Sequence, residues 1–274
     1  MKFFHISDLH IGKQLCGYSL RESQERMLGQ IISRAESERP DALLICGDIY
    51  DRPVPSAEAC TIFDQFLTEI SGRCPDTEIL IIAGNHDSPE RLSYGASFLR
   101  RHRIRIAALP PQSGEQYLEK VVLNDEWGPV NFYLFPFIRP GHVRHLAGDR
   151  ENLSYTEAFR AVLDRESIDT SQRNVILAHQ FFTWEGEEPG LCDSETAVIT
   201  AGGLDRIDAS VLSPFDYAAL GHLHGPQKVG RNIFRYSGSP YKYSVSAEHH
   251  RKSITVVDIG KKNSELLVRS AVLS

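Results

Sequence analysis

The run Ile79-Leu80-Ile81-Ile82-Ala83-Gly84-Asn85-His86-Asp87 decides how the chain reads. Short apolar stretches that stop at a glycine have the signature of a strand buried on both faces in a parallel sheet. The residues just after such a strand stand at its carboxyl end, where open α/β sheets place their chemistry. Ser88 then offers a helix cap and Pro89 a first helical residue,. Asn85, His86 and Asp87 therefore fall in a tight loop between a buried strand and a helix.

The pattern recurs on both sides of this run. Residues 3–6 form an apolar strand that enters Ser7-Asp8-Leu9-His10, and residues 42–46 form a second that enters Gly47-Asp48-Ile49-Tyr50-Asp51. Residues 174–178 end in His179, and residues 217–220 lead into Gly221-His222-Leu223-His224. Asp8 and His10, like His222 and His224, are spaced i, i+2, which puts both side chains on one face of an extended backbone. Alone, each of these is also an ordinary polar loop after a strand. Between the strands lie helical stretches. Residues 19–38 carry a stripe of Met27, Leu28, Ile31, Ile32 and Ala35 that Pro40 ends, and residues 56–71 pack through Ile62, Phe63, Phe66, Leu67 and Ile70 up to Gly72,. The alternation specifies an α/β protein.

The remaining segments add less. Residues 117–123 and 130–135 alternate around a turn at 124–129 and read as a hairpin; residues 155–166 read as a further helix,. The tail strands 233–236, 253–259 and 266–272 read as part of a second sheet layer. The basic run from Arg100 to Arg105 suits a solvated helix end or, less simply, a phosphate-contacting strip. Phe181, Phe182 and Trp184 form either a recognition loop or a satellite hydrophobic cluster, and His142 and His145 read as surface residues.

The chain has 274 residues, with 41% hydrophobic and 24% charged residues and a net charge of -6. That balance fits one soluble domain and argues against nucleic-acid binding by bulk charge alone. The amino terminus is already a strand pattern without a signal peptide, and no apolar run is long enough for a membrane span,. Cys16, Cys46, Cys60, Cys74 and Cys192 are odd in number and form no C-x-x-C pair, which suits a reduced cytoplasmic protein, with Cys46 in the core,.

Five strand ends thus offer Asp8, His10, Asp48, Asn85, His179, His222 and His224. Seven donors are too many for one tetrahedral zinc ion. They suit two ions that share a bridging carboxylate, and the absence of thiolates favours Mn²⁺, Mg²⁺ or Fe.

The ordered set of Asp-x-His, Gly-Asp-x-x-Asp, Gly-Asn-His-Asp, a lone His and Gly-His-x-His resembles that of the calcineurin-like metallophosphoesterases. Ile6-Ser7-Asp8-Leu9-His10-Ile11-Gly12, Gly47-Asp48-Ile49-Tyr50-Asp51 and Tyr236-Ser237-Gly238-Ser239-Pro240 narrow the resemblance to the SbcD-type nuclease subunits of bacteria, over about residues 1–260. The resemblance implies a four-layer αββα sandwich with two mixed β-sheets. It implies that Asp8, His10, Asp48 and His224 hold one metal ion and that Asp48, Asn85, His179 and His222 hold the other, with Asp48 bridging. His86 would be the acid or transition-state residue. Asp51 would orient His86 through its carboxylate, as a carboxylate at this place does in related phosphatases, although archaeal and eukaryotic counterparts of the SbcD-type subunits tend to carry a histidine there. The implied activity is metal-dependent exo- and endonucleolytic hydrolysis of DNA at ends or hairpins, in repair and recombination. The implied partners are DNA, an SMC-like ATPase subunit (SbcC-like) and a second copy of the chain. A phosphodiesterase or phosphatase for a small nucleotide is the alternative on the same fold. Residues 1–274 would be the nuclease domain, without the capping domain and ATPase-binding helices usual in such chains.

Overall fold

Alternation along one short strand shows how the layers arise. In Glu78–Ile82, Ile79 and Ile81 point into one hydrophobic core while Leu80 and Ile82 point into another,. The first core is closed by helices Arg21–Glu38 and Ala57–Arg73, which contribute Ile31, Ile32, Phe63, Phe66 and Ile70. The second lies between two sheets, where Phe3, Leu44, Cys46 and Leu80 meet Phe132, Leu134, Val175, Leu177 and Tyr217. A third core, with Phe135, Phe159, Phe182, Leu220 and Phe234, buries the outer face of the second sheet under helix Tyr155–Leu163. These layers make an αββα sandwich. The computed structural model describes residues 1–148, 150–187, 189–191 and 205–273. Cys192 lies outside the described residues; the other four cysteines are free thiols, and Cys46 is fully buried.

The first sheet runs Leu267–Val272, Ser253–Asp258, Lys2–Ile6, Ala42–Cys46, Glu78–Ile82, Ile104–Ala107, parallel over its last four strands. The second runs Gln227–Val229, Arg231–Tyr236, Tyr217–Gly221, Arg173–His179, Gly128–Phe135, Glu119–Asp125, with a parallel centre and antiparallel edges. The expected assignment of the tail to the second sheet holds only for Arg231–Tyr236. Ser253–Asp258 and Leu267–Val272 return to the first sheet, where Ser253–Asp258 pairs antiparallel with the amino-terminal strand. Their alternation specifies which faces are buried, not which strand edge they join.

Smaller differences come from local chemistry. The helix begins one residue later than expected, at Ala57, with Ser56 capping it through the Ala59 N–H, and it continues past Gly72 to Arg73. The stretch after Ser88 is no single helix: Pro89–Leu92 and Ala96–Leu99 are separated by Gly95 at φ +77°. In the basic run, Arg100 pairs with Glu119, while Arg103 and Arg105 pair with Glu78, which is the solvated reading.

The two sheets are locked at one end by Arg173, which is 2% exposed. Its guanidinium donates to both carboxylate oxygens of Asp125 (2.9 and 2.5 Å), to the Gly128 carbonyl (2.6 Å) and to the Gly260 carbonyl (3.0 Å). It thereby ties the second sheet's hairpin to the tail of the first. Removing the guanidinium leaves the Asp125 carboxylate to the amino-terminal ammonium (2.9 Å) and the Trp127 N–H (2.8 Å), and takes this donor from the two carbonyls. Arg173→Met is expected to cost about 1–3 kcal/mol, the range for buried acceptors that lose a donor, read as a lower urea midpoint with unchanged m-value. A midpoint within error of the wild type's would mean that water solvates this corner.

Candidate metal centre

All seven donor residues converge where the parallel strands of both sheets end. Loops are stitched together by the main chain: the Asp8 N–H donates to the Gly47 carbonyl (3.0 Å) and the His10 N–H to the Asp48 carbonyl (3.0 Å). Asp87 clamps them from behind, its carboxylate accepting from the N–H groups of Gly84 (2.8 Å), Tyr50 (3.0 Å) and Ile49 (3.2 Å). Burial, followed by the nearby Asp48, raises the Asp87 pKa to about 6. Four donor residues sit in the left-handed region of backbone space: Asp8 (φ 55°), His10 (φ 43°), Asp48 (φ 52°) and His222 (φ 103°). Each such residue costs about 1–3 kcal/mol and persists only where the surroundings hold it.

The side chains form one continuous cluster. His10 Nε2 stands 3.0 Å from His224 Nε2 and 3.7 Å from Asp48 Oδ2. Asn85 Oδ1 lies 3.1 Å from His179 Nε2 and 2.9 Å from His222 Nδ1. Asp48 Oδ1 lies 3.4 Å from His179 Nε2 and accepts the His86 N–H at 2.9 Å. The carboxylate of Asp8 accepts the His222 N–H and the Ser7 hydroxyl. Ligand atoms of Asp8, His10 and His224, and of Asp8, Asp48 and His179, are mutually close enough to hold a cation.

The donor set fits divalent metal ions on grounds internal to the structure. Two imidazole nitrogens that face each other at 3.0 Å repel through their lone pairs unless a proton or a cation lies between them. His179 gives its Nδ1–H to the Cys46 carbonyl (2.7 Å), so its Nε2 lone pair points at the oxygens of Asn85 and Asp48. Buried His10 Nδ1 makes no hydrogen bond. Burial pushes Asp8 up to about 7 and pushes His222 and His224 down to about 3. Burial also opposes charge on His179, but Asp48 and Asp8 outweigh it and raise the His179 pKa to about 9. A cluster of acceptors that draws a proton this strongly is one that lacks positive charge.

His86 differs from the other imidazoles. Its side chain is 31% exposed, and its ring packs edge to face on His10 at 4.9 Å. The partner that orients it is not the one expected. His86 Nδ1 bonds to the main-chain carbonyl of Asp51 at 2.9 Å. The Asp51 carboxylate instead pairs with Lys13 (2.8 Å) and lies 3.7 Å from His10 Nδ1. Lys13, on the loop after the first donor pair, draws that carboxylate away from His86. Asp51→Asn keeps the carbonyl, so turnover within a few fold of wild type and an unchanged pH profile are expected. A ~10²-fold loss, in the range for a missing acid–base partner, would show that the carboxylate does act on His86.

Several residues around the centre carried no signal of their own in the sequence. Gln24, on the first long helix, donates to the His10 carbonyl (2.8 Å) and to Tyr243 Oη (3.1 Å). The Tyr243 hydroxyl donates to the Leu9 carbonyl, and Lys252 Nζ donates to the His224 carbonyl (2.9 Å). Only a helical glutamine or a tail lysine that proves buried betrays such a role, and burial is a tertiary fact. Phe181 and Phe182 are buried in the third core and Trp184 packs near Phe234, so the satellite-cluster reading describes them. His142 and His145 are exposed, as expected. No helix among the described residues is long and apolar enough to cross a membrane.

Comparison with known proteins agrees with this geometry. Residues 1–226 match the family model of the calcineurin-like phosphoesterases. The chain is 33% identical over 271 residues to the SbcD component of the SbcCD nuclease of Staphylococcus epidermidis, spanning 97% of this chain and 68% of that one. The corresponding protein of Staphylococcus saprophyticus is 30% identical over 273 residues, spanning 97% and 67%. Among solved structures, a Thermus thermophilus protein superposes with a TM-score of 0.56 at 12% identity, covering 98% of both chains. A dimetal phosphatase from Danio rerio superposes with a TM-score of 0.50 at 12% identity, covering 99% of this chain and 96% of that one. At such identity these two speak for the fold alone.

Proposed function

The chain belongs to the calcineurin-like phosphoesterase family, and on that premise we propose that it is a Mn²⁺-dependent DNA nuclease subunit that acts with an SMC-like ATPase on DNA ends or hairpins. The observation that carries the reading is the convergence of all seven donors beside one partly exposed histidine, in a chain 33% identical to a nuclease subunit across nearly its whole length.

Asp8, His10, Asp48 and His224 would hold one ion and Asp48, Asn85, His179 and His222 the other, with Asp48 shared. When bound, such a pair supplies Lewis-acid polarisation of a phosphodiester and lowers the pKa of a bound water. The chain's own residues do the rest. His179 and His222 are held against Asn85 Oδ1 before any ligand arrives, so the centre needs little rearrangement,. His86 commits its Nδ1–H to the Asp51 carbonyl, so the proton it exchanges sits on Nε2, 3.9 Å from Asp48 Oδ2. There it can stabilise the developing charge or protonate the departing alkoxide. In this reading residues 1–274 act as the nuclease domain and pair into a homodimer.

The test is hydrolysis of an end-labelled linear duplex and of bis(p-nitrophenyl) phosphate, with Mn²⁺, with Mg²⁺ and with chelator. Chelator is expected to abolish both activities and Mn²⁺ to restore both. Hydrolysis of the small ester or of a cyclic nucleotide with no cleavage of DNA, even with the partner ATPase added, would favour the small-nucleotide phosphodiesterase instead.

A further inference from the structure

On the far side of Lys252 from the metal centre lies a cavity of about 490 Å³ between the first long helix and the segment around residues 240–252. Its lining includes Arg26, Lys242, His250, Arg251 and Lys252, and among the described residues no carboxylate lines it. In a chain of net charge -6, four cationic side chains and a histidine gather around one hollow. No ion pair among the described residues engages Arg26, Lys242 or Arg251. Such charges, left without acidic partners at a concave surface, focus potential for an anion.

Two of the basic groups are placed rather than loose. Lys242 Nζ donates to the Glu248 carbonyl, and Lys252 Nζ, 5% exposed, donates to the His224 carbonyl and to Ser239 Oγ (2.9 Å each). His250 presents a buried Nδ1 that makes no hydrogen bond. Tyr241, partly buried on the same wall, offers an aromatic surface beside the charges. A mixture of basic heads and an aromatic face is the chemistry that tracks a single strand of nucleic acid. Through Lys252 and His224 the cavity adjoins the metal centre.

We propose that this cavity holds a backbone phosphate of a nucleic-acid strand whose scissile bond lies at the metal centre, an inference that rests on the nuclease reading. Arg26, Lys242 and Arg251 are exposed, so their joint replacement by alanine leaves the core untouched. Binding of a fluorescent oligonucleotide to the wild type and to the R26A/K242A/R251A variant, measured from low to moderate salt, tests it. The variant is expected to bind at least about tenfold more weakly and to lose about 0.7–0.9 from the slope of log K against log salt, the amount for one phosphate contact. Hydrolysis of bis(p-nitrophenyl) phosphate should be unchanged.

Unchanged oligonucleotide affinity and slope, with the wild type still cutting DNA, overturns the cavity's role and leaves the nuclease reading standing. Inorganic phosphate bound by the wild type and not by the variant, with oligonucleotide binding equal in both, also overturns it and marks a free-anion site. A wild type that hydrolyses the small ester but neither binds nor cuts nucleic acid overturns both readings.

Discussion

His86→Ala is expected to lower kcat on DNA by ~10²–10⁴-fold, the span for loss of a positioned general acid, while leaving Mn²⁺ binding intact. The geometry separates the two effects. What His86 gives the donor cluster is its main-chain N–H, bonded to Asp48 Oδ1 at 2.9 Å, and alanine keeps that group. The imidazole itself lies against Asp51 and His10 with Nε2 3.9 Å from Asp48 Oδ2. The calorimetric isotherm for Mn²⁺ should therefore superpose on that of the wild type. The ring's task can be read from the leaving group. A DNA alkoxide needs a proton and p-nitrophenolate hardly does, so the loss on bis(p-nitrophenyl) phosphate should be much smaller. Equal losses on both substrates would rule out proton donation and leave charge stabilisation as the role of His86. Weakened Mn²⁺ binding would make the ring itself a ligand.

Gly221→Ala is expected to be among the most damaging single methyl additions at the described glycines. A Cβ at Gly221 would lie 1.9 Å from the Cys46 carbonyl oxygen and 2.7 Å from His179 Nδ1. The obstacle is the main chain of the opposite sheet, which has no rotamer in which to escape. That same carbonyl accepts the His179 Nδ1–H, so any shift that admits the methyl loosens a donor of the centre. Overpacking usually costs ~1–3 kcal/mol and sometimes more, and a backbone obstacle places this case at or above the upper end. The expected outcome is a lowered urea midpoint together with weaker Mn²⁺ binding. Lost stability with unchanged metal affinity would mean that the sheets separate elsewhere and that His179 does not depend on this seam. Gly84 is under the same constraint, because its Cβ would meet the Asp48 amide nitrogen at 2.3 Å.

Much of this was legible in the amino-acid order because buried parallel strands are short, apolar and abruptly ended. Residues 42–46 and 79–82 stand out by composition alone, and the polar residues after them are where the sheets deliver their side chains,. The donor cluster was readable for the same reason: it is built from the residues at which strands end. Two matters were not readable. Strand alternation could not say that Ser253–Asp258 crosses back to the first sheet, since edge choice depends on partners some 250 residues away. Nor could it show that the Asp51 carboxylate turns to Lys13, a choice made by two loops that meet only in the folded chain. Asp87 belongs to the same class, for its three N–H partners come from two different loops.

The position of the amino-terminal strand has a consequence for how the chain is made. Lys2–Ile6 is an interior strand whose one neighbour is Ala42–Cys46 and whose other, paired Phe3 to Val257 and Phe4 to Val256, leaves the ribosome last but one among the strands of its sheet. At ~5–20 residues per second, its open edge waits on the order of ten seconds or more for its partner. Throughout that interval a row of apolar residues and unpaired amides is presented to solvent, the arrangement most prone to wrong pairing between nascent chains. Yield on overexpression should therefore be governed less by the stability of the finished sandwich than by how well that edge is shielded during translation.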